Sequence, residues 1–288
     1  MSNEMQNKTV LVTGATNGIG FETARSLAAM GATLIGVGRN PQKCAEAAAQ
    51  ITQATGNAKV EFLVADLAVQ AQVRQLAETF KHKYNRLEVL VNNAGAFFAR
   101  REESTDGIEM TWALNHLNYF LLTDLLLDVL KASAPARIVN VSSTAHTGVK
   151  GINFEDIEFK HGYSGWTAYG HSKLANVLFT YELARRLAGT RITANALHPG
   201  FVATGFGHNN SRLMRVGMNI AQKIIAKRPE QGAETSVYLA SSPEVEGVSG
   251  KYFDNKQAIK SSAASYDTEA ARRLWDLSET MVRAKVAA

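Results

Sequence analysis

Short apolar runs rich in β-branched residues alternate with longer amphipathic stretches along the chain, and that alternation predicts its elements. Thr9–Thr13 reads as a buried strand, followed by a helix over 19–30 that stops at Gly31. A strand over 33–37 precedes an Ala-rich helix over 41–54, where Pro41 suits a first helical turn. Strand 60–64 with helix 69–83, strand 87–91 with helix 104–130, and strand 137–141 with helix 167–187 repeat the pattern. A sixth strand over 191–197 runs into a long loop.

Strict alternation of strand and helix implies parallel strands joined by right-handed crossovers, with helices on both faces of one sheet. No linker, fixed-period repeat or low-complexity tract interrupts it. The expected architecture is therefore α/β, a doubly wound parallel sheet in a single domain over 1–288, with a flexible N-terminus at 1–7. Two stretches break the rhythm, 144–166 and 201–232, and each follows a strand. Ligands of open α/β sheets bind beyond the carboxyl ends of the strands, so both stretches are expected to wall a substrate pocket, 201–232 as a lid.

Composition narrows the function classes. The 288 residues carry 31 Lys+Arg against 26 Asp+Glu, a formal charge of +5, and the cations are scattered, so nucleic acid is not an expected partner. The single Cys44 excludes an internal disulfide and a multi-thiolate metal site; a free thiol suits a reducing compartment, and cytoplasm is the expected location. Residues 1–7 are polar, and the most apolar stretch, 120–130, is broken by Asp124 and Asp128. It falls short of the ~20 residues a transmembrane helix needs, so no membrane span is expected. His146, His161, His171 and His198 come without an H-E-x-x-H pattern or a Cys pair, and no metal site is expected.

Candidate chemistry begins directly after the first strand, at Thr13-Gly14-Ala15-Thr16-Asn17-Gly18-Ile19-Gly20. Glycines let the backbone turn tightly against a ligand, and the helix that follows presents free N–H groups to a pyrophosphate. No Lys-Ser/Thr pair follows the last glycine, which argues against a P-loop. At the end of the second strand a dinucleotide site places either an acid for the ribose 2′-hydroxyl or an Arg for a 2′-phosphate. The sequence there is Gly36-Val37-Gly38-Arg39-Asn40, so Arg39 points to NADP(H), with NAD(H) left open; a solvated surface Arg is the plain alternative.

Tyr169 and Lys173 stand four apart on one helix and so share a face. An ammonium beside a phenol favours the phenolate and is expected to lower its pKa from about 10. Tyr169 then suits the proton transfer that accompanies hydride transfer to a carbonyl, with Ser142 or Ser143 bonding the same oxygen. A second Tyr-x-x-x-Lys, at Tyr252 and Lys256, lacks a helix pattern and a Ser-tipped strand before it and reads as a decoy.

Taken together, Thr13 to Gly20, Asp66-Leu67, Asn92-Asn93-Ala94-Gly95, Asn115, Ser142-Ser143, Tyr169-Gly-His-Ser-Lys173 and His198-Pro199-Gly200 resemble the short-chain dehydrogenase/reductase family, a Rossmann-type fold. Arg137 to Ser143 with Ala145-His146, Tyr169 to Asn176, Gly250 to Phe253 and Ala271 to Trp275 are similar to its retinol-dehydrogenase-like subgroup. The resemblance implies Tyr169 as general acid/base and Lys173 as the residue that holds the nicotinamide ribose. It implies Ser143 at the substrate carbonyl, with Ser142 as fallback, and Asn115 holding a water that links Lys173 to solvent. Gly14, Thr16, Asn17, Gly18, Ile19, Gly20 and Arg39 would bind the cofactor phosphates and ribose. Asp66 and Leu67 would contact adenine, Asn92, Ala94 and Gly95 would line the adenosine side, and Pro199, Gly200, Val202 and Thr204 would cover the nicotinamide.

Plain structural readings stay open at several of these positions. Asn115 could cap a backbone group, Asp66 could be a helix N-cap, and Asn92 to Gly95 could simply close the fourth strand as a turn. Two departures from the family pattern bear on substrate. The gap from Ser143 to Tyr169 is 26 positions, roughly double the family spacing, an insertion the subgroup shares. The hydrophobic anchor of the subgroup's membrane-bound members is not seen in this sequence, which weakens a retinoid reading. The expected activity is NADP(H)-dependent hydride transfer on the carbonyl or alcohol of a rather apolar small molecule. A non-catalytic NADP(H) sensor is the alternative, and a homo-oligomer stays open.

Overall fold

The computed structural model describes residues 4–200 and 228–283. Eight strands form one sheet in the order β3-β2-β1-β4-β5-β6-β7-β8. They are β1 Thr9–Thr13, β2 Thr33–Gly38, β3 Val60–Val64, β4 Val89–Asn92, β5 Ala136–Val141, β6 Ile192–Leu197, β7 Tyr252–Asp254 and β8 Gln257–Ile259. Neighbours through β7 are parallel and β8 closes the edge antiparallel to β7. This is the doubly wound parallel sheet that the alternation predicts. The two C-terminal strands are additions to it.

The central strands β1, β2 and β4 are apolar on both sides because helices cover both faces. Val10, Val12, Leu34, Val89, Val91 and Val139 pack under helices α1 (Gly18–Ala29), α2 (Pro41–Thr55) and α8 (Pro229–Ser241). Their neighbours Leu11, Ile35, Leu90 and Ile138 face the opposite core, under α3 (Gln70–Lys83), α5 (Asn118–Leu125), α7 (Gly165–Arg186) and α9 (Thr268–Arg283). The remaining helical segments are α4 (Met110–Trp112) and α6 (Leu127–Ala132). The strand order reverses at β1, which pairs with β2 on one side and β4 on the other. The chain leaving β1 and the chain leaving β4 therefore diverge and open a crevice at their carboxyl ends, where ligands of such sheets bind.

Two expectations are corrected here, and a third falls mostly outside the described residues. Residues 4–7 form a turn, with Met5 only 3% exposed and its N–H bonded to the Met30 carbonyl, so this part of 1–7 is docked on the end of α1. The single helix expected over 104–130 begins at Met110, because residues 104–107 turn at Gly107 (φ +69°) and Glu109 supplies the N-cap through both its oxygens. It is then interrupted by a π-helical turn, Ala113–Leu117, before α5 continues and breaks again at Leu126. Of the expected lid, 201–227 lies outside the described residues, while 229–232 are the first turn of α8 against α1.

Candidate active site

The crevice floor is stitched together by Thr13. Its hydroxyl donates to the Val91 carbonyl at 3.3 Å and accepts from the N–H groups of Asn93 (2.8 Å) and Ala94 (3.0 Å). Asn93 returns a bond from Nδ2 to the Thr13 carbonyl at 2.8 Å. Over this floor Gly14 and Gly18 take φ of +66° and +56°, the left-handed region where only glycine is unstrained. A Cβ on Gly20 would overlap the Gly14 carbonyl oxygen and Asn93 Nδ2, so no larger residue fits there.

The N-terminus of α1 is an open anion site. Its N-cap, Asn17, makes no side-chain cap bond and the first turn carries no acid, so its amides and positive dipole end are left for a ligand. Thr16 lies beside Gly38 and Cys44, and Arg39 is exposed at the end of β2. These groups fit the phosphates of a dinucleotide.

Three of the adenosine-side residues, Asp66, Leu67 and Asn92, make contacts within the protein. Asp66 accepts from the Ala68 N–H at 3.0 Å, an Asx turn, and the N-cap of α3 is Val69, so the capping alternative for Asp66 fails. Leu67 is 6% exposed and its side chain joins the core. Asn92 is wholly buried. Its Nδ2 donates to Thr123 (3.0 Å) and Asn140 (2.9 Å), which continues to Thr180 (2.9 Å). That ladder ties β4 to β5 and α7, so only the Asn92 backbone can face a cofactor. Ala94 and Gly95 do lie at the crevice. A Cβ on Gly95 would sit 3.1 Å from Asn115 Oδ1 and 3.4 Å from Lys173 Nζ, which places all three together.

Asn115 lies in the π-helical turn, where the extra residue swings its side chain toward the loop after β4. It grips Ala96 twice, accepting from the N–H at 2.9 Å and donating to the carbonyl at 3.0 Å, and also donates to Ser172 Oγ at 3.1 Å. Its main-chain carbonyl accepts from Asn176 Nδ2 at 2.9 Å.

On α7, Ser164 caps the first turn and Tyr169 and Lys173 share the face turned to β5. The two serines at the end of β5 part company. Ser142 Oγ donates to the Lys173 carbonyl at 2.8 Å, while the Ser143 hydroxyl bonds the Tyr169 phenol and its Oγ caps the Ala145 N–H. Ser143, and not the fallback Ser142, therefore faces the Tyr169 phenol. Lys173 Nζ donates to the Val141 carbonyl at 3.1 Å and lies 5.6 Å from the Tyr169 ring centroid.

Burial governs both titrations. It pushes Tyr169 up to about 12, with the Ser143 bond pulling the other way, and brings Lys173 down to about 7. The expected lowering of Tyr169 by the Lys173 ammonium is thus not realised, because Lys173, itself desolvated, holds only part of its charge at neutral pH.

His146 completes the wall. Its Nε2 accepts from the Ser262 N–H at 3.1 Å, so Nδ1 carries the proton and donates to the Ser143 carbonyl at 2.7 Å. His198 Nδ1 accepts from the Gly200 N–H at 3.1 Å and its Nε2 lies 3.5 Å from Asp254, which steadies the Pro199-Gly200 turn. Val202 and Thr204 lie outside the described residues. Tyr252 and Lys256 fall in the β7–β8 hairpin and not on a helix, and Lys256 is ion-paired to Glu234 of α8 at 2.8 Å. Asn93, Ser172 and Asn176 were not singled out from sequence. Asn93 sits inside the Asn-Asn-Ala-Gly motif, and Asn176 is three residues past Lys173, which was the available signal. Among the described residues no group of three His, Cys, Asp or Glu side chains could hold a metal, and no helix is long and apolar enough to cross a membrane.

Comparison with known proteins agrees with this geometry. The short chain dehydrogenase family model matches residues 8–214. Retinol dehydrogenase 14 of Mus musculus is 44% identical over 96% of this chain and 86% of its own. Polyprenol dehydrogenase of Homo sapiens is 41% identical over 94% of this chain and 84% of its own. A Mycobacterium paratuberculosis protein of solved structure, 32% identical, superposes with a TM-score of 0.79 over 98% of this chain and 97% of that one. The Pseudomonas aeruginosa RhlG/NADP active-site complex, 29% identical, gives 0.70 over 87% and 95%. The chain belongs to the short-chain dehydrogenase/reductase family, in its retinol-dehydrogenase-like subgroup, and is an NAD(P)-dependent oxidoreductase acting on alcohol and carbonyl groups.

Proposed function

We propose that the enzyme uses NADP(H) to move hydride to or from the carbonyl/alcohol carbon of an apolar small molecule, with Tyr169 as general acid/base. The observation that carries this reading is the Tyr169 phenol bonded to Ser143 with Lys173 Nζ 5.6 Å from its ring, all at the carboxyl end of β5. The bound nicotinamide supplies or accepts the hydride. Ser143 donates to the substrate oxygen and holds it beside the phenol. Tyr169, at about 12, is protonated at neutral pH and so ready to give its proton to the alkoxide that forms on reduction. Lys173 holds the nicotinamide ribose and returns a proton to Tyr169. Asn115, which meets Lys173 at Gly95, serves that return by holding a water.

Arg39 favours the 2′-phosphate of NADP(H): it is an exposed cation at the end of β2, where no carboxylate stands to bind a 2′-hydroxyl. NADP in a solved relative agrees with this preference. Two relatives are named for the alcohols retinol and polyprenol, in keeping with an apolar substrate. The test is Tyr169→Phe. NADPH affinity is expected to hold within a few-fold, while consumption of NADPH with a panel of aldehydes and ketones, read at the nicotinamide band, falls at least 100-fold. Full turnover in the variant overturns the assignment.

A further inference from the structure

Trp166 is 59% exposed, an unusual placement for the largest apolar side chain, and it stands on the first turn of α7, three residues before Tyr169 and hence on the same helix face. One face of its indole is taken by Phe97, with ring centroids 4.5 Å apart and planes inclined by 43°. Phe97 is itself 1% exposed and meets Tyr169 edge-on at 6.1 Å. The row Trp166, Phe97, Tyr169 thus runs from the protein surface to the reactive phenol.

The row is held rigidly. Gly165 packs so tightly against the loop after β4 that a Cβ would overlap the Phe98 carbonyl oxygen, and Tyr163 donates to that same oxygen at 2.9 Å. Ser164 caps the turn that carries the indole. The other face of Trp166 has no ring partner among the described residues, so the indole that covers Phe97 also turns a flat π-surface outward, one turn of α7 before Tyr169.

We infer that Trp166 is a specificity-determining residue, a stacking platform for the aromatic part of an aryl aldehyde or aryl ketone whose carbonyl reaches Tyr169 and Ser143. The inference rests on the hydride-transfer reading above and adds the substrate class. Stacking discriminates by shape: a planar ring gains an indole–ring contact worth about 3- to 10-fold in affinity, whereas a flexible alkyl chain of similar hydrophobicity gains little beyond burial.

The experiment compares 2-naphthaldehyde with hexanal in wild type, Trp166→Ala and Trp166→Phe. Trp166→Ala is expected to raise KM for naphthaldehyde about 3- to 10-fold, with kcat and the hexanal KM within twofold, and Trp166→Phe to restore most of the loss. Binding is read separately, from tryptophan emission. Trp112 is buried and Trp275 is covered by Phe179 and Arg186, so naphthaldehyde should give saturable quenching in wild type that Trp166→Phe lacks. Equal KM changes for both aldehydes, or quenching that Trp166→Phe retains or wild type lacks, overturn the inference. Saturable Trp166 quenching without NADPH consumption on either aldehyde leaves the platform standing and overturns the hydride-transfer reading instead.

Discussion

Ser142 and Ser143, adjacent at the tip of β5, face different partners: Ser142 Oγ holds the Lys173 carbonyl at 2.8 Å, and the Ser143 hydroxyl holds the Tyr169 phenol. One serine fastens the helix and the other is bonded to the phenol. Ser143→Ala is expected to lower kcat by about 100- to 1,000-fold with little change in stability, as for loss of a donor to a developing oxyanion. Ser142→Ala is expected to cost about 0.5–1.5 kcal/mol of stability, since it removes one buried bond between the tip of β5 and α7, and to reduce kcat much less. Steady-state kinetics and urea unfolding of the two variants check the split.

Lys173 links stability to pH. Burial holds it at about 7, against an ordinary value near 10.5 in the unfolded chain. Between those values the unfolded chain binds a proton that the native protein does not, so the native state gains stability as pH rises from 7 toward 10, and the full penalty applies below 7. Without added nucleotide, the stability of wild type relative to Lys173→Met should climb with pH in that window, by up to ~1.4 kcal/mol per unit. Urea midpoints at several pH values measure it; a flat difference shows an unshifted amine.

His116 works at the acid end. It is fully buried, packed at a tilt on Trp112 with ring centroids 4.5 Å apart and bonded through Nε2 to Ser278 Oγ at 2.8 Å; burial brings it down to about 4. As pH falls from about 6.5 to 4, the unfolded chain takes up a proton that the native protein refuses, and stability is lost. His116→Asn is expected to be less stable at neutral pH and to show a shallower acid limb, by at most ~1.4 kcal/mol per unit.

Arg39→Ala should raise the Kd of NADPH by about 10- to 100-fold and leave that of NADH nearly unchanged, because a charge-assisted contact to a phosphate is worth about 1.5–3 kcal/mol. Titration with both nucleotides decides it. A preference for NADPH that survives the substitution assigns discrimination to another group.

The first six strands were legible because each is a short run rich in apolar and β-branched residues set between helical patterns, and the glycine loop because its position between β1 and α1 restricts what it can be. The hairpin of β7 and β8 was not. Its strands are three residues each, too short for a period, and Gln257–Ile259 are exposed throughout. The interruption at Asn115 was hidden for a different reason: the apolar pattern runs through it unbroken, and the π-helical turn follows from the grip of Asn115 on Ala96, nineteen residues earlier. Among site residues, spacing identified Tyr169 and Lys173. Which serine meets the phenol, and that Asn92 turns inward to Asn140, depended on how β5 and α7 pack.

Two buried histidines, His146 beside Ser143 and His116 beside Asn115, have partners far along the chain. His146 is bonded to the backbone of Ser262, 116 residues later, and His116 to Ser278, 162 residues later. On the ribosome the glycine loop, the phenol and the amine all emerge before either partner exists. A nascent chain that ends short of these residues should thus recognise a nucleotide before it can turn one over, and activity should switch on late in synthesis.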